Sequence, residues 1–551
     1  MPLILIASAT LGLIRLDNTH FWDDETLVTI VTKNLLSTGR LTGWDGRNLL
    51  AYRNGTALDK NLRPINAPLD MYVAAASFKL FGINTWAGRF PFVLMGVASV
   101  WLLGVLLGDE FGRDSPIRFY GMAFFGLSTV LLLNMRQCRY YTIEVLCCLV
   151  MFWAYRRCLA TKKWRYFTAF AAAGAGAFYA SYLLGPAFWL AMGAYHLGFY
   201  RKGLAGRDYW KLACAVVALM VATIPYAVAF RIWYRPDVPV YAPWYIRRPV
   251  VLYWNLRELN LLGYMPWMLA VVGGVGIALK WKTDPAARGA FRWAVLGVGY
   301  VFFLSVLTNQ PVRNRNIADV RYLIPAAPFL AGCAGVAMWF VHGFRRWTRP
   351  LAWALLAAAL GSTVLTVGPG HARLRWLLPA YLKEISAPYP TSYALASEFL
   401  ARNARDEEIV YAWPEYCNYP LMFYQGDRLR FGCLLNRDTH LGLDRVRKLD
   451  APLLIDRNVP DWYIAFGIQR GTNDRLKFFQ RPATLDGRLV HYSYQLVETL
   501  DVFWAETARP ELQLHSFGPE TRHDPKSEAV YIYKRGPLAA IEPEGSGLSA
   551  N

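Results

Sequence analysis

Apolar residues fall along the chain in long runs separated by short polar connections, and the runs end near Val367. A helix rising 1.5 Å per residue needs about 20 apolar residues to cross a bilayer. On that measure helices are predicted near 1–16, 86–107, 117–134, 140–156, 165–182, 186–200, 209–230, 261–280, 292–308, 322–343 and 350–368, eleven in all. The first is short, and a Leu-Gly-Pro turn separates the fifth from the sixth. It lacks the basic start and small-residue cleavage site of a secretory signal, so it reads as an anchor. Two segments break the pattern. Residues 17–85 make a long first loop, in which MYVAAASFKLFG is apolar but interrupted by Lys79 and reads as a helix lying in the membrane interface. Beyond residue 369 the period changes: SYALASEFLARNA is helical, whereas EEIVYAW, PLLIDRN, DWYIAFG, HYSYQLVETLDVFW and EAVYIYKR read as strands. The Pro/Gly/Ser-rich residues after Gly536 are expected to be disordered, and no internal repeat is present. The predicted architecture is a polytopic α-helical membrane domain over 1–368, with a large first outer loop over 17–85, and an extracytoplasmic α/β domain over 369–551.

Composition sharpens this division. Apolar residues make up 55% of the chain and include 21 Trp, too much for one soluble domain. Of the 59 Lys and Arg, 37 precede His371, against 16 of the 39 Asp and Glu, so the net positive charge of +20 belongs to the membrane half. That suits anionic lipid headgroups or a phosphate-bearing lipid substrate and gives no sign of nucleic acid. The basic connections at Arg156–Arg165, Arg201–Lys211, Lys280–Arg292 and Arg345–Arg349 belong in the cytoplasm. The first loop, the segments 231–260 and 309–321 and the tail are then extracytoplasmic, on the outer face of a bacterial inner membrane. Six cysteines lie in or beside apolar spans, and Cys417 and Cys433 lie in the tail, where spacing leaves open whether they pair. No His/Cys cluster suggests a structural metal.

Three outer constellations carry candidate chemistry. In FWDDETLVTIVTKNLL, residues 21–36, Asp23 or Asp24 can cap the helix that follows and runs to a stop at Gly39; a carboxylate held there can also take a proton from an acceptor hydroxyl. Farther along this loop stand Arg63, Pro64, Asn66, Pro68 and Asp70. In NMRQCRYYTIEV, residues 134–145, Glu144 is the one acid placed inside an apolar span, and Arg139 is its expected ion-pair partner. In RNRNIADVRYLIPAAPFLAG, residues 313–332, Arg321 and Tyr322 stand at a span's outer end, either as an interfacial belt or as a phosphate grip. The outer face also carries Arg136, Arg231, Arg235, Arg247, Arg248, Arg257, Arg313 and Arg315, which interface snorkelling or a polyanionic substrate would explain. The basic, aromatic, Pro-rich outer loop from Arg231 to Arg257 is either an ordered interfacial loop or a lid over a lipid phosphate.

The DE pair after the first span, the R-x-x-RYY at the fourth and the RYLIPAAPFLA at the tenth resemble the GT-C membrane glycosyltransferases, in particular the protein O-mannosyltransferase and lipid A aminoarabinose transferase group. The resemblance runs over roughly residues 15–368. It implies a polyprenyl-phosphate sugar donor, Asp24 as base with Glu25 beside it, Glu144 as the acid at the mouth of the fourth span, and Arg321 with Tyr322 gripping phosphate. Where the aminoarabinose transferases have Glu-Lys-Pro-Pro, this chain reads RPINAPLD, so either Arg63 substitutes for the lysine or the donor differs; their metal-binding acid and histidines have no evident counterpart. The expected donor-phosphate residues are thus Arg63, Arg139, Arg247, Arg248, Arg321 and Tyr322, with no obligatory cofactor or metal. The expected function is inverting transfer of a sugar to a hydroxyl of a lipid, glycan or protein acceptor. A transporter or flippase of a lipid-linked molecule is the rival, which leaves the acid triplet and the outer tail unexplained.

Overall fold

The computed structural model describes residues 1–230, 244–261, 263–308, 320–366, 374, 376–386, 391–435, 446–454, 459–467, 472–480, 483–485, 488–500 and 529–540. Contacts divide the chain into two units that are not consecutive in sequence. Met1–Leu16 and Asn66–Ala387 form the first, and Asp17–Ile65 joins the described residues from Thr391 onward in the second.

The first unit is a polytopic helical membrane domain. All eleven expected stretches contain helix, with Pro2–Leu13, Thr85–Phe111, Tyr141–Thr161, Trp164–Ala180, Leu184–Tyr195, Gly206–Phe230, Trp267–Lys280, Pro285–Leu307, Ala327–Phe344 and Arg349–Gly361 at ten of them. The stretch 117–134 is broken into Pro116–Gly126 and Thr129–Met135, bent by 51°. Among the described residues four helices are long and apolar enough to cross a membrane, or five counting the bent pair as one. The expected span at 261–280 starts only at Trp267, because Gly263 takes a left-handed φ of +74°. Before it lies an unforeseen helix, Trp244–Leu261. The interfacial helix appears as Leu69–Phe81.

Small residues let the helices close on one another, as apolar packing within lipid requires. Gly185 faces the end of Trp164–Ala180, where a Cβ would lie 2.8 Å from the Ala177 carbonyl carbon. Gly335 lies against Pro116–Gly126, where a Cβ would come within 2.8 Å of Gly121 N and Ile117 O. Buried charges are met within the unit. Glu110 pairs with both Arg156 and Arg292, the latter at 2.6 Å. Arg136 donates to the carbonyls of Gly12, Ile14 and Arg15 at 3.0, 2.6 and 2.7 Å, satisfying the end of the first helix.

The second unit is built on a sheet of six strands among the described residues: β1 (Ile409–Trp413), β2 (Arg430–Phe431), β3 (Trp462–Phe466), β4 (Ala483–Leu485), β5 (Arg488–Leu500) and β6 (Val530–Ala540), in the order β2-β1-β3-β6-β5-β4. β1 runs parallel to β2 and β3, and the remaining pairs are antiparallel. Of PLLIDRN, residues 455–458 lie outside the described residues, and Leu453 makes only an isolated bridge to Cys433. Residues 537–540, expected to be disordered, continue β6, with Val490 opposite Ala540; Gly536 and Pro537 fall at a register shift, where a bulge tolerates a residue without an amide hydrogen. Cys417 and Cys433 are separate, buried thiols.

The first loop enters this unit through polar side chains. Asn48, 1% exposed, donates to the Gly426 and Leu429 carbonyls at 2.9 and 3.3 Å and accepts the Phe431 amide at 2.7 Å. Arg47 bonds the Asp427 and Arg428 carbonyls, and Lys33 pairs with Asp427 at 2.6 Å.

Three substitutions test this arrangement. Gly335→Ala should lower thermal stability in detergent by about 1–3 kcal/mol, because backbone atoms cannot yield to the methyl group. Gly299→Ala, with nothing within 4 Å of its Cβ, should be neutral or stabilising by up to about 1 kcal/mol. Asn48→Ala should cost about 1–3 kcal/mol in the second unit by leaving the Phe431 amide unsatisfied, read as earlier thermal or denaturant unfolding of the tail.

Candidate active site

The acid triplet opens the helix Asp23–Thr38, which stops at Gly39 with φ +72° as expected. Its start differs from the expectation that Asp23 or Asp24 is the cap. The cap position is Trp22, and Glu25 at the third helical position accepts the Trp22 amide at 3.4 Å. Glu25 is fully buried. The reason is register: the helix begins at Asp23, so the side chain able to reach back is three residues after the cap. Asp23 and Asp24 occupy the first turn, half-buried, where exposed backbone amides favour a negative charge. The helix start is held by the tail segment Asn418–Gln425. Tyr424 OH accepts the Phe21 amide at 2.9 Å, and the Phe21 ring meets Phe423 edge-on at 5.1 Å. Burial pushes the Tyr393 phenol and the Cys417 thiol well above their ordinary values, and the charge of Asp23 adds to this. Arg63 is in this unit too, with its amide on Asp59 Oδ1 at 2.8 Å.

In the first unit, segments distant in sequence converge. Residues 136–140 break the helical run between Thr129–Met135 and Tyr141–Thr161, and the break presents Arg139 and Tyr140. The Arg139 guanidinium lies 5.1 Å from the Tyr140 ring centre. The charges of both Arg139 and Arg321 bear on the Tyr140 hydroxyl, and Tyr322 is beside it. The tight turn Val320–Ala326 holds Arg321 and Tyr322; the Tyr322 carbonyl accepts the Tyr300 hydroxyl at 2.6 Å.

Asp70 joins this group from the interfacial helix. It is 2% exposed, its Oδ1 accepts the Met71 amide at 2.9 Å, and its carboxyl is pushed up to about 7 by burial, against the opposing pull of Arg139. The expected Arg139–Glu144 pair therefore gives way to Arg139 with Asp70. Glu144 instead accepts from Cys148 Sγ at 3.7 Å, and its Oε2 has no hydrogen-bond partner. Tyr182 closes the group on another side, donating to the Asn66 carbonyl at 3.2 Å. A buried carboxyl beside a guanidinium and phenols suits recognition of an anion through fixed cations and hydrogen bonds. Asp70 had no charged neighbour in sequence to mark it, and its place as an acid opening an apolar helix was the one available signal.

The remaining expected phosphate residues divide. Arg248 donates to the Ser305 carbonyl at 3.2 Å and to that of Thr308, while Arg247 is buried with its Nε unmet. Residues 231–243, the first part of the expected lid, lie outside the described residues, as do Arg313 and Arg315, and the remainder of the lid is in the helix Trp244–Leu261. Among the described residues no three His, Cys, Asp or Glu side chains stand together as a metal site.

A family model described as dolichyl-phosphate-mannose-protein mannosyltransferase matches residues 64–228, a stretch that holds Asp70, Arg139, Tyr140, Glu144 and Tyr182. ArnT from Cupriavidus metallidurans in the apo state aligns with a TM-score of 0.55 at 16% identity, covering 88% of this chain and 95% of that one. The fold is that of the GT-C glycosyltransferases. The same ArnT bound to undecaprenyl phosphate aligns with a TM-score of 0.54 at 15% identity and the same coverage. No curated protein matches the chain. The GT-C resemblance rests on the order of helices and the outer motifs together, since the family model ends well before Arg321.

The Asp70 carboxyl makes stability pH-dependent. Its ordinary value is 3.8 and its folded value about 7, so between these the folded chain holds the extra proton. The contribution is full below about 4 and is lost as pH rises through 7, at up to about 1.4 kcal/mol per pH unit. Asp70→Asn should remove this decline; thermal unfolding of both proteins from pH 5 to 7.5 checks it, and parallel curves would refute the burial argument.

Proposed function

We propose that the chain moves a sugar from a polyprenyl phosphate to an acceptor hydroxyl on the extracytoplasmic face of a bacterial inner membrane, with inversion. The observation that carries this reading is the convergence of Arg139, Tyr140, Arg321 and Tyr322 with Asp70 in an integral membrane domain of GT-C fold. In this reading the acceptor oxygen attacks the anomeric carbon as the bond to the phosphate oxygen breaks. Negative charge grows on the departing polyprenyl phosphate, where fixed guanidinium and phenol groups stabilise it without a general acid. Arg139, Arg321 and Tyr322 serve there, with Arg247 in support; Arg248 has committed its guanidinium to helix-end carbonyls. Arg63 has no further support as a phosphate ligand than its place in sequence.

The acceptor hydroxyl needs a base, typically contributing about 100- to 10,000-fold. Asp24 takes its proton. Glu25 is given instead to the helix cap, so its role is to hold the turn that carries Asp24. Glu144, buried with one oxygen unmet, is read here as a carboxyl near the donor that gives no proton to the departing phosphate and is not the base. Neither step calls for a nucleotide or an obligatory metal. The donor is a polyprenyl-phosphate hexose or pentose, and the acceptor is a lipid, glycan or protein. With the eleven crossings expected from the apolar stretches, the tail lies on the outer face in this reading, where the acceptor is met.

Asp24→Asn should reduce sugar transfer at least 100-fold while leaving binding of undecaprenyl phosphate within about twofold. Transfer by the purified full chain from a radiolabelled polyprenyl-phosphate sugar, read beside lipid binding, checks this. Normal transfer by the variant would remove Asp24 as the base, and lipid movement across vesicles without transfer would favour the transporter reading.

A further inference from the structure

Three basic connections of the first unit meet around one carboxylate. Glu110, near the end of Thr85–Phe111, takes Arg292 Nη2 on one oxygen at 2.6 Å and Arg156 Nη1 on the other. Its side chain is 4% exposed, and Gly289 makes room for it, since a Cβ there would lie 2.9 Å from Glu110 Oε1. The Tyr200 ring stands 5.8 Å from the Arg292 guanidinium. It arrives there because the helix Leu184–Tyr195 continues as a wider, π-helical turn over His196–Tyr200. His196 fixes that turn, with its ring nitrogens 2.8 and 3.2 Å from the hydroxyls of Tyr155 and Tyr209.

One carboxylate between two guanidiniums leaves one positive charge over. The other acids on these segments are engaged elsewhere: Asp109 pairs with Arg157 at 2.9 Å, Asp208 with Lys211 at 3.1 Å, and Asp284 accepts the Ala286 amide at 2.9 Å. Arg292 Nε is buried without a hydrogen-bond partner, while the Arg156 and Arg292 side chains remain 27 and 31% exposed, so the excess charge reaches the surface. That surface is apolar. Leu197, Phe199 and Phe291 are 68, 37 and 39% exposed, and Phe291 meets Phe199 edge-on at 6.1 Å and Trp281 at 5.1 Å. The exposed Lys282 and Arg288 add further positive charge beside these rings.

We propose that this end of the unit binds an anionic phospholipid. Its phosphodiester meets Arg156 and Arg292, and its acyl chains lie along Leu197, Phe199 and Phe291. An uncompensated guanidinium beside exposed rings calls for an anion joined to an apolar chain, and phosphate oxygens match the guanidinium fork. A zwitterionic lipid brings a cation that offsets its own phosphate, and free phosphate offers the rings nothing to cover them. The site is separate from the group around Arg139 and Asp70. Arg156 is near the end of Tyr141–Thr161 and Arg139 just before its start, which puts roughly 22 Å of helix between them. The inference therefore stands whether or not the proposed sugar transfer does.

Native mass spectrometry of the purified full chain in detergent, titrated with phosphatidylglycerol and with phosphatidylcholine of the same acyl chains, tests it. The wild type should bind the first phosphatidylglycerol about fivefold more tightly than phosphatidylcholine. Arg292→Gln leaves a neutral Arg156–Glu110 pair and should abolish that preference, whereas Arg292→Lys, which keeps the charge, should retain it. Glu110→Gln removes the only carboxylate between the guanidiniums and should strengthen the preference, although it breaks the same contacts. Arg346→Gln, in another basic connection, should leave it unchanged. Equal loss in Arg292→Gln and Glu110→Gln would show a merely structural triad and overturn the site, as would a wild type without preference. Loss in Arg346→Gln as large as in Arg292→Gln would replace the site by a diffuse basic face, and displacement of the lipid by excess inorganic phosphate would overturn the lipid assignment.

Discussion

A charge enclosed by apolar helices must meet an opposite charge, a hydrogen-bond partner or a proton, and the first unit of this chain is arranged by that requirement. Glu110 lies between Arg156 and Arg292 and so joins three helices that are far apart in sequence. Arg136 is satisfied by carbonyls at the end of the first helix, which need donors. Asp70 and Arg139 are the functionally informative case, because the guanidinium favours the ionised carboxyl while burial disfavours it, and burial wins. The carboxyl is left close to neutral pH, where a small change in its surroundings changes its charge.

The second unit obeys a different constraint. A long polar loop has many backbone groups to satisfy and no apolar stretch to bury, so it gains order from side chains that reach another segment's backbone. Asn48 does this with three bonds, and Arg47 and Lys33 extend the seam. The start of the acid-bearing helix is fixed in the same way by Tyr424 and Phe423. The tail thereby has a physical role in the proposed chemistry: it holds the turn on which Asp24 stands.

A division of labour among like residues follows. Of the acid triplet, Glu25 caps, Asp23 faces tail phenols and a thiol, and Asp24 is assigned to the acceptor. Of the arginines expected on the outer face, Arg136 and Arg248 satisfy helix-end carbonyls, whereas the charges of Arg139 and Arg321 both bear on the Tyr140 hydroxyl. The basic charge expected on the outer face is therefore partly internal structure, and only part of it meets a substrate in the proposed mechanism.

What the chain determined by itself was whatever depends on neighbours in sequence. The eleven apolar stretches all contain helix, Gly39 ends the first-loop helix, and β1, β3, β5 and β6 fall in segments of strand-like pattern, because period and left-handed turns are local properties. The register of the acid turn was missed by one residue, which moved the cap from Asp to Glu25. Tertiary structure alone decided that residues 17–65 fold with the tail and that Arg139 meets Asp70 rather than Glu144. Burial and charge pairing are properties of surroundings assembled from remote segments, so no spacing along the chain encodes them directly.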